Sequence, residues 1–453
     1  MGVEERLKGE NGKMKSDFEQ TEIEAPYKLP EGWKWIPLLK SFENKTSSNK
    51  KLPTKDYSDA GKYAIIDQGQ EFIGGYSDKT DFVFDGELPI IVFGDHTKCI
   101  KYIDFPFIQG ADGVKILKPI SIVDSKYFYY ALQNIHFPDL GYRRHFPIFK
   151  DYQFPLPPTL AEQQRIVNRI ESMFAKLDEA KEKAQNVVDG FETRKAAILH
   201  KAFSGELTAK WRKENGIEKN KELDFIYNFA QTLSKKDMTN ITDFQKQAYD
   251  YVLSDGAVWK KCCIGAIGVI TNGSTPSRKE ASFWNGNIPW VSSGEVANNI
   301  IESTNEMISE EGFNNSSVKK LPIGTVLIAM IGEGKTRGQT SVLNIEATTN
   351  QNIAAIIINH GHVESKFLWY WLQKEYKNNR TAGNGSGPQA LNCQKVRELP
   401  FILPTLPEQV EIVRILDIII EKENKAKQAA EAVLEQIDLL KKSILARAFR
   451  GEL

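Results

Sequence analysis

The residues best placed for catalysis form the stretch AMIGEGKT at 329–336, which follows an apolar run and nearly spells a phosphate-binding loop. That loop needs a glycine where Ala329 stands, and a helix after its lysine to aim backbone amides at phosphate. The residues from Arg337 onward are a poor helix start. The pattern disfavours a nucleotide-binding enzyme, which would explain only Gly332 to Thr336, and it favours a short basic loop between two strands.

Other catalytic chemistries lack the residues that they would need. Of the six histidines only His360 and His362 are close in sequence, and no cysteine or carboxylate cluster joins them at metal-ligand spacing. No G-x-S-x-G elbow supplies an activated serine, and no N-P-P-Y-like motif supplies an adenine methylation site. We therefore predict no catalytic residue, no metal site and no cofactor in this chain.

Several short basic loops are instead suited to DNA, because arginine, lysine and amide side chains bind phosphates and base edges. Two of them, at Arg143 and at 383–389, occupy corresponding places, each after an aromatic segment. The alternative for every loop is an ordinary solvated turn. The candidate DNA-binding residues are Lys98, Arg143, Arg144, His145, Arg278, Lys279, Lys335, Thr336, Arg337, Gln339, Ser386 and Gln389.

Composition limits the class of protein. The chain of 453 residues carries 59 basic and 59 acidic residues, so its formal charge is zero and any DNA binding must come from local patches. No apolar stretch approaches the roughly 18 residues of a membrane span, and no hydrophobic signal core opens the chain. The 4 cysteines lack C-x-x-C spacing, so we expect reduced thiols in a cytoplasmic protein.

The strongest pattern in the sequence is an internal repeat. PTLAEQQRIV from Pro158 and PTLPEQVEIV from Pro404 open two blocks at an offset of 246 residues, which end in AFSGEL and AFRGEL. Upstream, VDSKYFYYALQ from Val123 pairs with VESKFLWYWLQ from Val363 at an offset of 240. The chain is therefore a duplicated unit in which a globular part precedes a helical block.

Each helical block carries the start and stop signals of one long helix. The T-x-x-E sequences at Thr159 and Thr405 predict capping boxes, in which the threonine and glutamate bond each other's backbone N–H groups. Gly205 and Gly451 predict the ends, because glycine readily adopts the left-handed backbone that terminates helices. A single helix of this length would exceed the needs of a compact domain.

Apolar residues in both blocks recur with the 4-3 alternation of a coiled-coil seam. Arg194 interrupts the first series and Glu423 the second. Since each apolar stripe needs a partner, we expect the two helices to pair, the alternative being that each packs on its own globular domain. The second seam also includes Ala426, Val433 and Leu440; the residues that we predict for pairing are Ile166, Ile170, Leu177, Ala184, Phe191, Ile198, Ile412, Leu416, Ala430, Ile437 and Ile444.

The predicted fold class is α+β, with two mixed α/β domains in tandem repeat, each followed by a long helix. The aromatic segments after Ser125 and Ser365 are expected to be core helices. The connector contains a short amphipathic pattern from Leu223 to Leu233. The predicted boundaries are a flexible arm at 1–25, a globular domain at 26–157, a helix at 158–207, the connector at 208–250, a globular domain at 251–403 and a helix at 404–453.

Over nearly its whole length the chain resembles the specificity subunits of type I restriction-modification systems. The resemblance rests on the helix openings and endings quoted above, on WKW at Trp33 and on GSGPQALN from Gly385. It implies that the globular parts are target recognition domains and that the long helices pack as an antiparallel coiled coil. Each domain would then bind half of a bipartite asymmetric site in double-stranded DNA, and the helices would set the spacing.

The same resemblance implies partner proteins. Two modification subunits with methyltransferase activity would dock on the helix residues given above, and restriction subunits would complete the complex. S-adenosylmethionine, ATP and magnesium would bind in those partners, so this chain would be a non-catalytic subunit. A coiled-coil scaffold without DNA specificity stays open as the alternative, although it leaves the paired divergent domains unexplained.

Overall fold

The computed structural model describes residues 26–47, 50–111, 113–138, 141, 143–215, 249–332, 334–358, 361–381 and 390–453. Contacts divide the chain into two units. Unit 1 comprises Met1–Asn186 and Ala429–Leu453, and unit 2 comprises Val187–Gln428. Each unit therefore combines one globular domain with the opening of its own helical block and the ending of the other block.

The globular domain of unit 1 is built from short strands and an aromatic helix. Sheets form in the strand orders β2-β8-β5-β6, β4-β3-β7 and β1-β9, and strand β5 is buried along its whole length. The elements are β1 (Lys34–Pro37), β2 (Phe42–Asn44), β3 (Tyr63–Ile66), β4 (Gly75–Ser77), β5 (Ile90–Gly94), β6 (Ile100–Ile103), β7 (Phe107–Gln109), β8 (Val114–Pro119), α1 (Ser125–Asn134) and β9 (Gln153–Leu156).

The first helical block is two helices, α2 (Leu160–Asp189) and α3 (Phe191–Phe203), followed by the short helix α4 (Ala209–Asn215). The prediction of one continuous helix was therefore wrong at Gly190. Glycine is about 1 kcal/mol less favourable than alanine inside a helix, so a break falls naturally there. The predicted stop at Gly205 is confirmed, because its φ of +81° follows the end of α3.

Unit 2 has a larger sheet, ordered β12-β19-β16-β17-β14, and two three-stranded sheets, β10-β11-β20 and β15-β13-β18. The second helical block is one helix, α9, which ends before Gly451 as predicted. The elements are β10 (Tyr249–Val252), β11 (Val258–Cys263), β12 (Gly268–Asn272), β13 (Trp284–Val291), β14 (Asn299–Ile301), β15 (Glu306–Ile308), α5 (Glu310–Asn314), β16 (Val326–Ala329), β17 (Thr340–Leu343), β18 (Thr348–Thr349), β19 (Ile353–Ile358), α6 (Ser365–Lys374), α7 (Tyr376–Thr381), α8 (Cys393–Glu398), β20 (Pro400–Leu403) and α9 (Leu406–Phe449).

The aromatic helices α1 and α6 belong to the domain cores, as the sequence predicts. Trp369 and Trp371 of α6 are buried in the core of unit 2, and Tyr127 of α1 is buried in that of unit 1. None of the four cysteines, all of which lie within the described residues, forms a disulfide bond, and burial raises the pKa of the Cys263 thiol to about 11. The arm at 1–25 and the amphipathic pattern at 223–233 lie outside the described residues.

A buried glutamine attaches the domain of unit 1 to its helix. Gln163 of α2 accepts the backbone N–H of Asp124 (2.7 Å) and donates to the carbonyl of Ile122 (3.0 Å), both just before α1. At the second residue of α1, the Lys126 ammonium pairs with Glu171 of α2 at 2.6 Å. Together these contacts fix where the aromatic helix sits on the long one.

The same attachment recurs in unit 2 with the equivalent residues of the repeat. Gln409 of α9 accepts the N–H of Glu364 (2.9 Å) and donates to the carbonyl of His362 (3.0 Å). The Lys366 ammonium of α6 pairs with Asp417 of α9 at 2.7 Å. The two lysines are related by the offset of 240 and the two acids by the offset of 246. Residues from both repeated blocks therefore meet in the same contact in each unit.

The predicted capping boxes are formed only in part. Thr159 does accept the N–H of Glu162 (3.2 Å), but the Glu162 carboxylate bonds the Arg165 guanidinium rather than the helix start. In unit 2 the buried Glu408 carboxylate pairs with Arg212 of α4. An ion pair within the helix in unit 1, and a tertiary ion pair in unit 2, therefore replace the glutamate bond that the T-x-x-E pattern predicts.

We predict that Gln163→Leu destabilises the protein by about 2–3 kcal/mol, because it leaves two buried backbone groups without a partner. Urea unfolding monitored by circular dichroism measures the change. Gln164→Leu is the matched control, since the Gln164 amide bonds only the exposed Asn168, and a change within about 0.5 kcal/mol is expected there. Equal effects of the two substitutions would contradict the attachment.

Candidate nucleic-acid interface

In unit 1 the structure brings the loop at Lys98 and the segment at Arg143–His145 together at a buried carboxylate, Asp95, which is 2% exposed. The His145 N–H donates to the Asp95 carbonyl (2.8 Å), and the Phe146 N–H donates to Asp95 Oδ1 (2.8 Å). Lys98 lies three residues further along the Asp95 loop, at a φ of +61°. One buried acid therefore positions both predicted segments.

The cations at this site surround the carboxylate from the solvent side. Arg144 Nε lies 4.0 Å and Lys115 Nζ 3.9 Å from Asp95 Oδ2. The Arg144 side chain is 68% exposed, and Arg143 is exposed as well. Lys115 was missed by sequence reasoning, although its position in β8, opposite Phe93 of β5, is next to the Asp95 loop. The cluster carries more positive than negative charge and can bind a phosphate.

His145 is a correction to the predicted DNA-binding set. Its side chain is 0% exposed, with Nδ1 3.0 Å from the carbonyl oxygen of Asp95 and Nε2 3.2 Å from that of Pro138. A ring enclosed between two backbone carbonyls positions the segment and does not contact a ligand. Its place in sequence beside two arginines gave no sign of this burial.

In unit 2 the predicted basic loop joins β16 to β17, which pair antiparallel, so the chain after Lys335 turns back as a strand. Two side chains of α7 hold the loop by its backbone. Tyr376 Oη donates to the carbonyl of Lys335 (2.6 Å), and Arg380 donates to that of Arg337 (3.2 Å). Lys335 is exposed, and the side chains of Thr336, Arg337 and Gln339 are partly exposed.

Arg278 is held inside its own domain. Its guanidinium lies 3.7 Å from the Trp284 ring centroid and forms two bonds with the Glu306 carboxylate. The arginine also holds the pKa of the Glu306 carboxyl below its usual value. A guanidinium engaged on both its face and its edge is less available to DNA than the sequence suggests, whereas the neighbouring Lys279 is exposed.

The remaining candidates are not brought to one place. Within the described part of unit 2, no hydrogen bond or ion pair joins Arg278 or Lys279 to the loop at 335–339. Ser386 and Gln389 lie outside the described residues. The described residues contain no group of three or more His, Cys, Asp or Glu suited to a metal ion. None of the described helices is long and apolar enough to cross a membrane.

The residues predicted for helix pairing all lie on packed faces. In unit 1, Ile166 and Ile170 of α2 share a core with Leu445 and Phe449 of α9. In unit 2, Leu416 of α9 shares a core with the end of α3, and the two charges that interrupt the seams pair with each other, Arg194 Nε lying 2.7 Å from Glu423 Oε2. The other predicted residues are buried or partly buried, namely Leu177, Ala184, Phe191, Ile198, Ile412, Ala430, Ile437 and Ile444.

The predicted seam of α9 is wrong by one position in its middle. Ala426, Val433 and Leu440 are exposed, and the next residue in each case takes the packed position. Two of these next residues are lysines. Lys427 lies over the Phe191 ring (5.0 Å) and Lys441 over that of Phe174 (5.1 Å). Lysine stems pack well on aromatic rings, which a count of apolar residues does not detect.

Comparison with known proteins identifies the family. Residues 30–188 and 257–436 match the sequence profile described as type I restriction modification DNA specificity domain, and the chain belongs to this family. The EcoR124I/EcoR124II type I restriction enzyme specificity subunit of Escherichia coli is 25% identical over 402 residues, which cover 84% of this chain and 85% of that protein. The EcoDI specificity subunit of Escherichia coli is 23% identical, with 94% and 90% covered.

Solved structures share the fold. The HsdS subunit from Thermoanaerobacter tengcongensis has a TM-score of 0.53 at 16% identity, covering 95% of this chain and all (100%) of that one. A chain from a structure described as showing complex assembly and conformational transition of the type I R-M system has a TM-score of 0.61 at 16% identity, with 94% and 100% covered. The mixed α+β fold with two specificity-domain segments is therefore that of the family.

We predict that Asp95→Ala destabilises the protein by about 1–3 kcal/mol, because the Phe146 N–H loses its buried acceptor and the Lys115 ammonium loses its nearby counter-charge. Thermal and urea unfolding measure the loss. Asp85→Ala removes an exposed carboxylate whose pair with Lys50 is at the surface, and it should leave stability nearly unchanged because exposed ion pairs contribute little. Indistinguishable effects would show that Asp95 does not position the arginine segment.

Proposed function

We propose that this chain is the sequence-recognition subunit of a type I restriction-modification complex and that each globular domain binds one half of a bipartite asymmetric DNA site. The observation that carries the proposal is the repeated attachment of two divergent domains. Gln163 and Gln409 fix them to their helices by the same bonds. Two domains that are attached in the same way but carry different loops are suited to binding two different DNA sequences.

Local clusters would supply the DNA contacts, because the net charge of the chain is zero. In the first domain the contacts are Lys98, Arg143 and Arg144, with Lys115 added from the structure. In the second they are Lys279 and the loop from Lys335 to Gln339. Exposed arginines can bind a phosphate or pair bidentately with guanine, which links these clusters to both affinity and base choice.

The long helices would pair as an antiparallel coiled coil that sets the distance between half-sites. Two ion pairs support this direction. Asp178, early in the first block, contacts Lys441, late in the second, and Arg194, late in the first, contacts Glu423, earlier in the second. A helix rises 1.5 Å per residue, so its length converts directly into spacing along DNA.

The paired helices would also dock two modification subunits, which methylate adenine, and restriction subunits would join the full complex in the cytoplasm. The relatives are named as subunits of type I restriction enzymes, which supports a partner-dependent role. S-adenosylmethionine, ATP and magnesium would bind in those partners, and this chain would act without catalysis of its own.

Methylation mapping tests the proposal directly. The chain is expressed with the modification subunits of its own source, and methylated adenines are mapped across DNA exposed to the complex. A single bipartite motif is expected. Scattered or absent methylation by an intact complex would contradict the proposal and favour a scaffold without DNA specificity.

Arg143→Ala and Arg337→Ala should each weaken DNA binding by the assembled complex by about 1–3 kcal/mol if the arginine pairs with a base. Fluorescence anisotropy on cognate and scrambled duplexes measures the loss. A base contact relaxes one position of the motif, whereas an equal loss on every sequence indicates a phosphate contact. Lys183→Ala, on an exposed helix pair with Glu179, is the control, and an identical loss there would contradict the assignment.

Inserting four residues after Ala184 and four after its repeat equivalent Ala430 should lengthen the paired helices by about 6 Å. At 3.4 Å per base pair, the preferred half-site spacing should grow by about two base pairs. Methylation mapping of the altered complex measures the spacer. A motif with unchanged spacing would show that the helices do not act as the ruler.

A further inference from the structure

Unit 2 contains a cleft of about 410 Å³. One wall is helix α3, and the other is made by the basic loop and the aromatic helix α6. It shares Lys335 and Gln339 with the proposed DNA contacts, but its opposite wall belongs to the long helical block. The side chains that the argument uses are Glu192 and Lys195 on α3, Lys335 and Gln339 on the loop, and Gln373 on α6.

Lys195 carries an unneutralised charge in this cleft. No acidic oxygen of the described residues lies within 4.0 Å of its ammonium. Burial lowers the pKa of the Lys195 ammonium, and the nearby Glu192 carboxylate offsets only part of that effect. A partly buried cation without a close counter-charge is stabilised when an anion binds beside it.

Gln373 adds an unused hydrogen-bonding edge. Its Nε2 and Oε1 atoms are both buried and have no hydrogen-bond partner. Buried side-chain amides are nearly always bonded, so a donor and an acceptor left open side by side suggest a ligand that supplies both. A peptide group does so with its carbonyl and its N–H.

The internal repeat indicates which anion fits. The residue equivalent to Lys195 is Lys441, at the offset of 246, and in unit 1 its ammonium pairs with Asp178 at 2.5 Å. The residue equivalent to Asp178 is Asn424, which has no charge. In unit 1, α2 therefore supplies the carboxylate of Asp178 to Lys441. In unit 2, the equivalent residue Asn424 supplies no carboxylate to Lys195.

We propose that the cleft of unit 2 binds an acidic side chain, aspartate or glutamate, from a partner protein chain, with Lys195 as its ion-pair partner and Gln373 bonding the adjoining peptide group. The inference rests on the proposed function, in which partner subunits dock on the long helices. A carboxylate is favoured over a DNA phosphate because the equivalent lysine of unit 1 holds a carboxylate. Lys335 and Gln339 line the same cleft, so the docked acid would also contact the DNA-facing loop.

Two substitutions in the full chain test the cleft. Lys195→Met removes an unpaired charge, and Gln373→Met removes unbonded polar atoms, so neither should impair folding of the free protein. Binding of the purified modification subunit, measured by calorimetry, should weaken about 10- to 100-fold for Lys195→Met and measurably for Gln373→Met. The control is Lys201→Met, an exposed lysine of α3 outside the cleft, which should leave the affinity unchanged.

Zero-length carbodiimide coupling identifies the contact itself. It joins an ammonium to a carboxylate in direct contact as an amide, with loss of water. Peptide mass spectrometry of the coupled complex should find Lys195 joined to an aspartate or glutamate of the modification subunit. Replacing that acid with its amide should weaken binding by the same factor as Lys195→Met, and the double variant should lose no more.

Unchanged affinity for Lys195→Met together with no Lys195 adduct would overturn the inference. A phosphate site would overturn it as well, and it has its own signature. Lys195→Met would then leave subunit binding intact and reduce the salt dependence of DNA binding by about one counterion. If only the cleft inference fails, the unsubstituted complex still methylates a bipartite motif. If the proposed function fails, the unsubstituted complex methylates no such motif.

Discussion

A buried amide at the opening of each long helix is the contact on which both domains depend. Gln163 and Gln409 each bond a backbone N–H and a backbone carbonyl just ahead of an aromatic helix. An amide satisfies both groups at once, which neither a carboxylate nor an apolar side chain can do. The adjacent lysine–acid pairs then fix the rotation of the aromatic helix. The rest of each domain can diverge freely, because its placement is set at these few residues.

The glutamate next to that amide has different partners in the two copies. Glu162 lies at the surface with Arg165, whereas Glu408 is buried and bonds Arg212, whose guanidinium also reaches Asp255 at 2.6 Å. A buried carboxylate must be paired, so α4 is held against the start of α9. One residue type at one repeat position thus serves a local bond in one copy and a tertiary bond in the other.

Sequence reasoning predicted the features that depend on periodicity. It failed where a polar side chain could be either exposed or buried and only tertiary contacts decide which. The repeat, the helix ends at Gly205 and Gly451, the buried aromatic helices and the strand–loop–strand at Lys335 follow from spacing alone, and the structure agrees. Burial of His145 depends on a carbonyl 50 residues away, at Asp95, which no local pattern reveals. The break at Gly190 and the packed lysines Lys427 and Lys441 were missed because counting apolar residues ignores the low helix propensity of glycine and the apolar stems of lysine. Ser386 and Gln389 stay predictions.

The division of the chain has a consequence for biosynthesis. Unit 1 is completed by Ala429–Leu453, which are synthesised after all the residues of unit 2. The core around Ile166 and Ile170 includes Leu445 and Phe449, so it cannot close while the second domain is still being made. Domains usually fold in the order of their synthesis. In this chain synthesis of unit 2 is complete before that of unit 1. Part of the apolar surface of the first domain therefore stays exposed until Ala429–Leu453 have been synthesised.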